Sequence, residues 1–168
     1  TMERLERAYD DWKDGTWSKD PYVDVVIPTM IDPTMAPPGK HFMSCFIQYC
    51  PARIEGRDWT EEERQAFGQT VIDQIANYSP NFRSLILHYE IRTPADIEKQ
   101  IGITEGNIFH GDIRLDQLFF MRPLPGWARY RTPLNGLYLC GAGTHPGAGL
   151  PGVLSSSKIA EDLIQQTA

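Results

Sequence analysis

The chain has little that would tie it to nucleic acid, a membrane or a metal. Its 16 Lys and Arg are scattered among 22 Asp and Glu, giving a net charge of −6. Nucleic acid and anionic membrane surfaces both require a concentrated basic footprint, and none is present. No apolar run approaches the ~18 residues that a membrane helix needs. No basic-then-apolar leader opens the chain either. Cysteine is scarce: Cys45, Cys50 and Cys140 are odd in number and match no zinc spacing. They read as buried, inert thiols in a reducing compartment, the cytosol or, in a eukaryote, the mitochondrial matrix. Internal repeats and low-complexity tracts are missing as well.

What is present is a mixture of short elements in a chain of 168 residues, long enough to bury a core. The opening Thr1-Met2-Glu3-Arg4-Leu5 runs directly into a helical pattern over residues 3–13, with Leu5, Ala8, Tyr9 and Trp12 on one face. Such an opening reads as a cut rather than a natural beginning. Tyr22–Ile27 and His41–Tyr49 have the β-branched, aromatic character of strands, separated by a proline-rich loop. Thr60 with Glu63 forms a capping box, which predicts a helix over 61–77. Leu85–Arg92 reads as a further strand, and Thr93-Pro94-Ala95-Asp96 opens a short helix that Gly102 ends. Residues 103–135 are irregular, Leu137–Cys140 is a short strand, and Val153–Gln166 is a final helix. Without a βαβ rhythm, the fold class expected is α+β, an antiparallel or mixed sheet with packed helices.

Chemistry concentrates in one stretch. Five glycines fall between positions 141 and 152, wedged between the last strand and the last helix. Glycine tolerates positive φ and lets backbone N–H groups approach a ligand with no Cβ in the way. The helix start that follows adds unpaired donors and a partial positive charge. Together these suit an electron-rich ligand such as a phosphate or the pyrimidine edge of a flavin. A turn joining two elements is the plainer reading of a lone Gly-x-Gly, but this pattern is longer. It carries no lysine at a Walker position, which removes the nucleoside-triphosphatase reading.

The run Leu139-Cys140-Gly141-Ala142-Gly143-Thr144-His145-Pro146-Gly147-Ala148-Gly149-Leu150-Pro151-Gly152-Val153 resembles the C-terminal flavin-contacting motif of the phytoene desaturase family. The stretches His110–Pro123, Pro125-Gly126-Trp127 and Met35–His41 are similar to a branch of that superfamily, the pyridine nucleotide-disulfide oxidoreductase domain-containing protein 2 type. The resemblance implies the C-terminal part of an FAD-dependent oxidoreductase. Residues 1–135 would be a substrate-domain-like region, and 136–168 the closing strand, loop and helix of an FAD-binding α/β domain. It implies that Gly141, Ala142 and Gly143 pass beside the ribityl chain and pyrophosphate of FAD. Leu150, Pro151, Gly152 and Val153 would run along the isoalloxazine, with the N–H groups of Gly152 and Val153 facing its N1/O2 edge.

Such enzymes open on a strand and a Gly-x-Gly-x-x-Gly turn at a helix start, and no such unit precedes the substrate-domain-like region here. The resemblance thus implies a partner, the N-terminal FAD-binding half, on the same or another chain, and weak or no FAD binding by this chain alone. It also implies a small apolar substrate that gives up a hydride. A non-catalytic assembly module, or one half of a split flavoenzyme, is the alternative, and self-association through an unpaired sheet edge is expected in either case.

No catalytic residue is singled out. His145 fits either an acid/base role or a structural ring that hydrogen-bonds the loop. His110 and Asp112 fit a turn better than a metal site, since no third ligand lies near. Ser155-Ser156-Ser157 has no nucleophile-elbow context. Phe119, Phe120, Met121 and Trp127 fit either ordinary core or the lining of an apolar pocket.

Overall fold

The computed structural model describes residues 1–111 and 113–166. Two compact units divide the chain, one of Thr1–Gly106 and a second that begins at Asn107.

In the first unit, α1 (Met2–Lys13) carries Glu3 in its first turn and Lys13 in its last, both favourable to the helix dipole. Ala8 is fully buried, and Tyr9 stacks on Trp12 at 5.5 Å while meeting Tyr49 edge-on at 5.3 Å. The sheet has two strands: β1 (Tyr22–Val26) pairs antiparallel with β2 (Ser44–Gln48), in register from Tyr22 opposite Gln48 to Val26 opposite Ser44. Both strands are shorter than their sequence pattern. Between them the prolines impose single turns at Pro28–Met30 and Pro33–Met35, the second capped by the Asp32 carboxylate accepting from Thr34 N–H at 3.0 Å.

Helix α2 (Glu61–Ala76) starts where the capping box places it. The Thr60 hydroxyl accepts from Glu63 N–H at 3.2 Å, and the Glu63 carboxylate accepts from Thr60 N–H at 2.9 Å. Its inner face holds Phe67, Gly68 and Val71. Trp17 and Trp59 stack at 5.2 Å, and both meet Phe67 edge-on. A short helix α3 (Phe82–Leu85) follows, and α4 (Pro94–Ile101) has its own capping box from Thr93 and Asp96, closing on Gly102 at φ +82°.

Leu85–Arg92 is not a strand. Leu85 ends α3, and the residues after it have no ladder partner among the described residues. Side chains hold this segment instead of backbone pairing. Ile91 sits against Gly68, where a Cβ would overlap it, and Tyr89 donates to the Gln65 side chain at 3.1 Å. Strand-like composition describes a half-buried extended segment, and a ladder needs a second edge as well. The α+β class holds, with a sheet smaller than the pattern promised.

Arg64 on α2 ties α4 to the unit by a two-pronged contact with the Asp96 carboxylate, 2.9 Å on one prong, while also donating to Ile91 O at 3.3 Å. Hydrogen bonding from Arg64 holds the Asp96 carboxyl down at about 2, against an ordinary 3.8. The unfolded chain therefore takes up this proton first. The Asp96 contribution is complete above pH 3.8 and is lost as pH falls through about 2. Solvent at the pair limits it to about 1 kcal/mol. An acid titration of helicity at low salt should show the Asp96→Asn chain less stable than wild type at pH 6, with the difference gone at pH 2.

In the second unit, turns replace regular structure until a tight hairpin over residues 130–139. There Leu139 N–H donates to Tyr130 O at 2.8 Å, and Thr132 uses both its N–H and its hydroxyl on Leu137 O. Leu137–Cys140, expected as a strand, forms only an isolated bridge, at Tyr138 opposite Arg131. A glycine-rich loop leads from the hairpin to α5 (Leu150–Gln165), three residues ahead of the start predicted from sequence.

All three cysteines are free thiols, but only Cys45 and Cys50 are partly covered, and Cys140 is exposed, against the expectation that all were buried. Burial pushes the Cys50 thiol up to about 12, which keeps it protonated and unreactive.

Candidate functional site

The glycine-rich loop is held at both ends by residues buried deep in the second unit. Arg122 is 2% exposed and donates to three backbone carbonyls: Phe109 and Ala142, each at 2.7 Å, and Gln117. It thereby gathers turns distant in sequence around the start of the loop. Ser156, fully buried on α5, accepts from Gly141 N–H at 2.9 Å and donates to Val153 O at 2.7 Å. Thr144 folds the loop on itself, its N–H and hydroxyl both reaching Gly141 O.

This framework puts Gly141, Ala142, Gly143, Leu150, Pro151, Gly152 and Val153 on one continuous loop and helix start. Their surroundings differ. A Cβ at Gly141, Gly143 or Gly149 would meet no atom within 4 Å. Gly141 and Gly149 need glycine for their positive φ of +101° and +111°, but Gly143 has no such need. Its missing side chain leaves open space. Gly152 is the reverse case: a Cβ there would lie 3.1 Å from Pro146 Cγ and 3.3 Å from Gly147 O, so the loop itself requires this glycine.

The start of α5 has no side-chain cap and no acidic residue in its first turn, unlike α2 and α4 with their capping boxes. Pro151 has no N–H to offer. The Val153 N–H closes the first helical turn onto Gly149 O at 3.0 Å. Gly152 N–H precedes that first bond and remains available at the positive end of the helix dipole. Of the donor pair expected at Gly152 and Val153, the Val153 N–H is used within the helix.

His145 does not hydrogen-bond the loop. Its ring stacks on Phe120 at 4.8 Å, with Tyr130 edge-on at 6.2 Å, and Nδ1 is buried without a partner among the described residues. Beside it lies a cavity of about 350 Å³, lined by Pro123, Leu124, Trp127, Tyr130, Leu139 and His145 among others. Of the four residues considered for a pocket, Trp127 lines this one, whereas Phe119 and Phe120 are 60% and 73% exposed. Asp112, half of the expected His110–Asp112 turn, lies outside the described residues. Among the described residues no group of three or more His, Cys, Asp or Glu could hold a metal ion, and no helix is long and apolar enough to cross a membrane.

Sequence reasoning quoted Arg122 without giving it a role and set the serine triplet aside as lacking hydrolase context. The signals were there. Arg122 is a lone cation beside Phe119-Phe120-Met121, and Ser156 shares a helix face with Ala160, which is also buried.

No protein-family model matches the chain. Among curated proteins it is 45% identical over 149 residues to the pyridine nucleotide-disulfide oxidoreductase domain-containing protein 2 of Mus musculus, covering 88% of this chain and 26% of the mouse protein. It is 34% identical over 145 residues to the lycopene-forming phytoene desaturase of Pseudescherichia vulneris, covering 82% of this chain and 27% of that enzyme. The 4,4'-diapophytoene desaturase of Staphylococcus aureus strain Newman is 31% identical over 153 residues, covering 89% and 30%. The chain spans between a quarter and a third of the length of these relatives. Over that length it belongs to the phytoene desaturase-like family of oxidoreductases.

Proposed function

We propose that the chain is the C-terminal portion of an FAD-dependent oxidoreductase that removes a hydride from an apolar substrate. In this reading the hairpin, glycine loop and α5 form the closing segment of its FAD domain, and the residues before 136 are substrate-domain-like. The observation that carries it is the open cradle along the loop: at Gly141, Gly143 and Gly149 a Cβ would meet nothing, so backbone lies bare where a ligand can touch it. The residues present fit the cofactor that the family implies. Gly141, Ala142 and Gly143 would lie beside the ribityl chain and pyrophosphate, and Leu150, Pro151, Gly152 and Val153 along the isoalloxazine. When bound, FAD supplies the hydride acceptor.

The chain's own contribution is positional and electrostatic. Arg122 and Ser156 fix the loop before any ligand arrives, so little ordering cost remains at binding. Gly152 N–H offers a donor, and the helix start a partial positive charge, to an electron-rich ring edge. Pro151 shapes the approach without competing for that edge.

In this reading dinucleotide affinity rests mainly on the Gly-rich first turn of the N-terminal FAD-binding half. FAD titrated into the 168-residue chain, followed by its fluorescence, should show no binding tighter than about 1 µM, a Kd that corresponds to about −8.2 kcal/mol. Submicromolar binding by this chain alone would contradict the reading of one wall of a larger site.

The alternative, an assembly module or one half of a split flavoenzyme, is favoured by one observation: Ile31, Leu87 and Leu115 are 90%, 75% and 89% exposed. Apolar surface on that scale suits cover by another chain segment or a second copy.

A further inference from the structure

The cavity beside His145 has an unusual balance of polarity. None of the residues lining it is acidic, in a chain whose net charge is −6. Its cation, Arg131, is occupied elsewhere, with the guanidinium 5.6 Å from the centre of the Tyr138 ring. Its threonine hydroxyls are committed to backbone carbonyls, Thr144 to Gly141 O and Thr132 to Leu137 O, each at 3.0 Å. The rest is proline, leucine and aromatic carbon, with His145, the Tyr130 hydroxyl and the Trp127 indole N–H as the polar exceptions.

His145 is held on two sides by Phe120 and Tyr130, and its Nδ1 is buried with no partner among the described residues. An occupant with an acceptor oxygen would select the ring tautomer that carries its proton on Nε2. With Nδ1 shut away, the Nε2–H edge is what the ring can present to an occupant. A donor fixed in a largely apolar slot favours an acceptor on an otherwise apolar molecule, because an occupant lacking the acceptor leaves that donor unpaired.

We infer that this cavity binds an apolar molecule carrying a single oxygen function, a ketone or a hydroxyl, whose oxygen accepts a hydrogen bond from His145 Nε2–H. Calling that molecule the substrate rests on the oxidoreductase reading; the binding itself does not. The site distinguishes an oxygenated compound from a pure hydrocarbon of the same shape.

Benzophenone and diphenylmethane are a matched pair of probes, differing by a carbonyl in place of a methylene. Each is titrated into the 168-residue chain labelled with ¹⁵N at histidine, with affinity read by calorimetry and the His145 ring by NMR. Benzophenone should bind at least tenfold more tightly and shift the His145 Nε2 resonance, which diphenylmethane should not. His145→Phe keeps an aromatic ring between Phe120 and Tyr130, and in it the preference should fall below twofold. His145→Gln should restore part of it, and Tyr130→Phe should retain it. Equal affinity for the two probes, failure of both to bind the folded chain, or a preference that survives His145→Phe would each overturn the proposal. No flavin is present in the titration, so failure here leaves the flavin reading standing, and loss of the flavin reading leaves this result intact.

Discussion

Replacing Arg122 with leucine should unfold the second unit. Arg122 is 2% exposed, and its guanidinium donates to the carbonyls of Phe109, Gln117 and Ala142. Leucine fills much of the volume but leaves these part-buried carbonyls without their donor. Each such group costs about 1–3 kcal/mol, and losing even two of them removes much of the ~5–15 kcal/mol that holds a typical domain. Arg122→Lys should recover only part, since one ammonium cannot reproduce a planar fork aimed at separate turns. Amide hydrogen exchange reads this directly. The Gly141 amide, bonded to Ser156 Oγ, should lose its protection in Arg122→Leu, while amides of α2 serve as the internal reference. Wild-type protection at Gly141 would mean that Arg122 does not organise the loop.

The local elements were legible because their causes are local. Thr60 with Glu63 and Thr93 with Asp96 specify helix starts within four residues, and both capping boxes formed. Gly102 ended α4 in the left-handed region, as a glycine at that point should. What failed depended on a partner. Leu85–Arg92 and Leu137–Cys140 have the composition of strands, but ladders require a second edge, and the described residues supply one only at Tyr138. The glycine loop stood out in the sequence, yet sequence could not separate Gly143, beside open space, from Gly152, packed against Pro146. That distinction belongs to tertiary packing. Arg122 escaped for the same reason, since its carbonyl partners lie up to 20 residues away.

The contrast between those two glycines lets the proposed flavin contact be tested apart from the loop's own packing. Valine at Gly152 drives a side chain into Pro146 Cγ and Gly147 O, already 3.1 and 3.3 Å from a bare Cβ. Overpacking of this kind costs about 1–3 kcal/mol, so Gly152→Val should destabilise the chain with no flavin present. Valine at Gly143 meets nothing within 4 Å at its Cβ and requires no left-handed backbone. It should leave the melting curve of this chain unchanged. In the longer polypeptide that carries the N-terminal FAD-binding half, the same side chain would occupy the path of the ribityl chain and pyrophosphate. FAD affinity should then fall at least tenfold, about 1.4 kcal/mol.

FAD content of that longer polypeptide carrying Gly143→Val, measured beside wild type at equal fold stability, is the most direct test. A protein that folds normally and is purified largely without flavin is the predicted result. Wild-type flavin content with valine at Gly143 would contradict the account, because the open space along the loop would then not be where FAD lies.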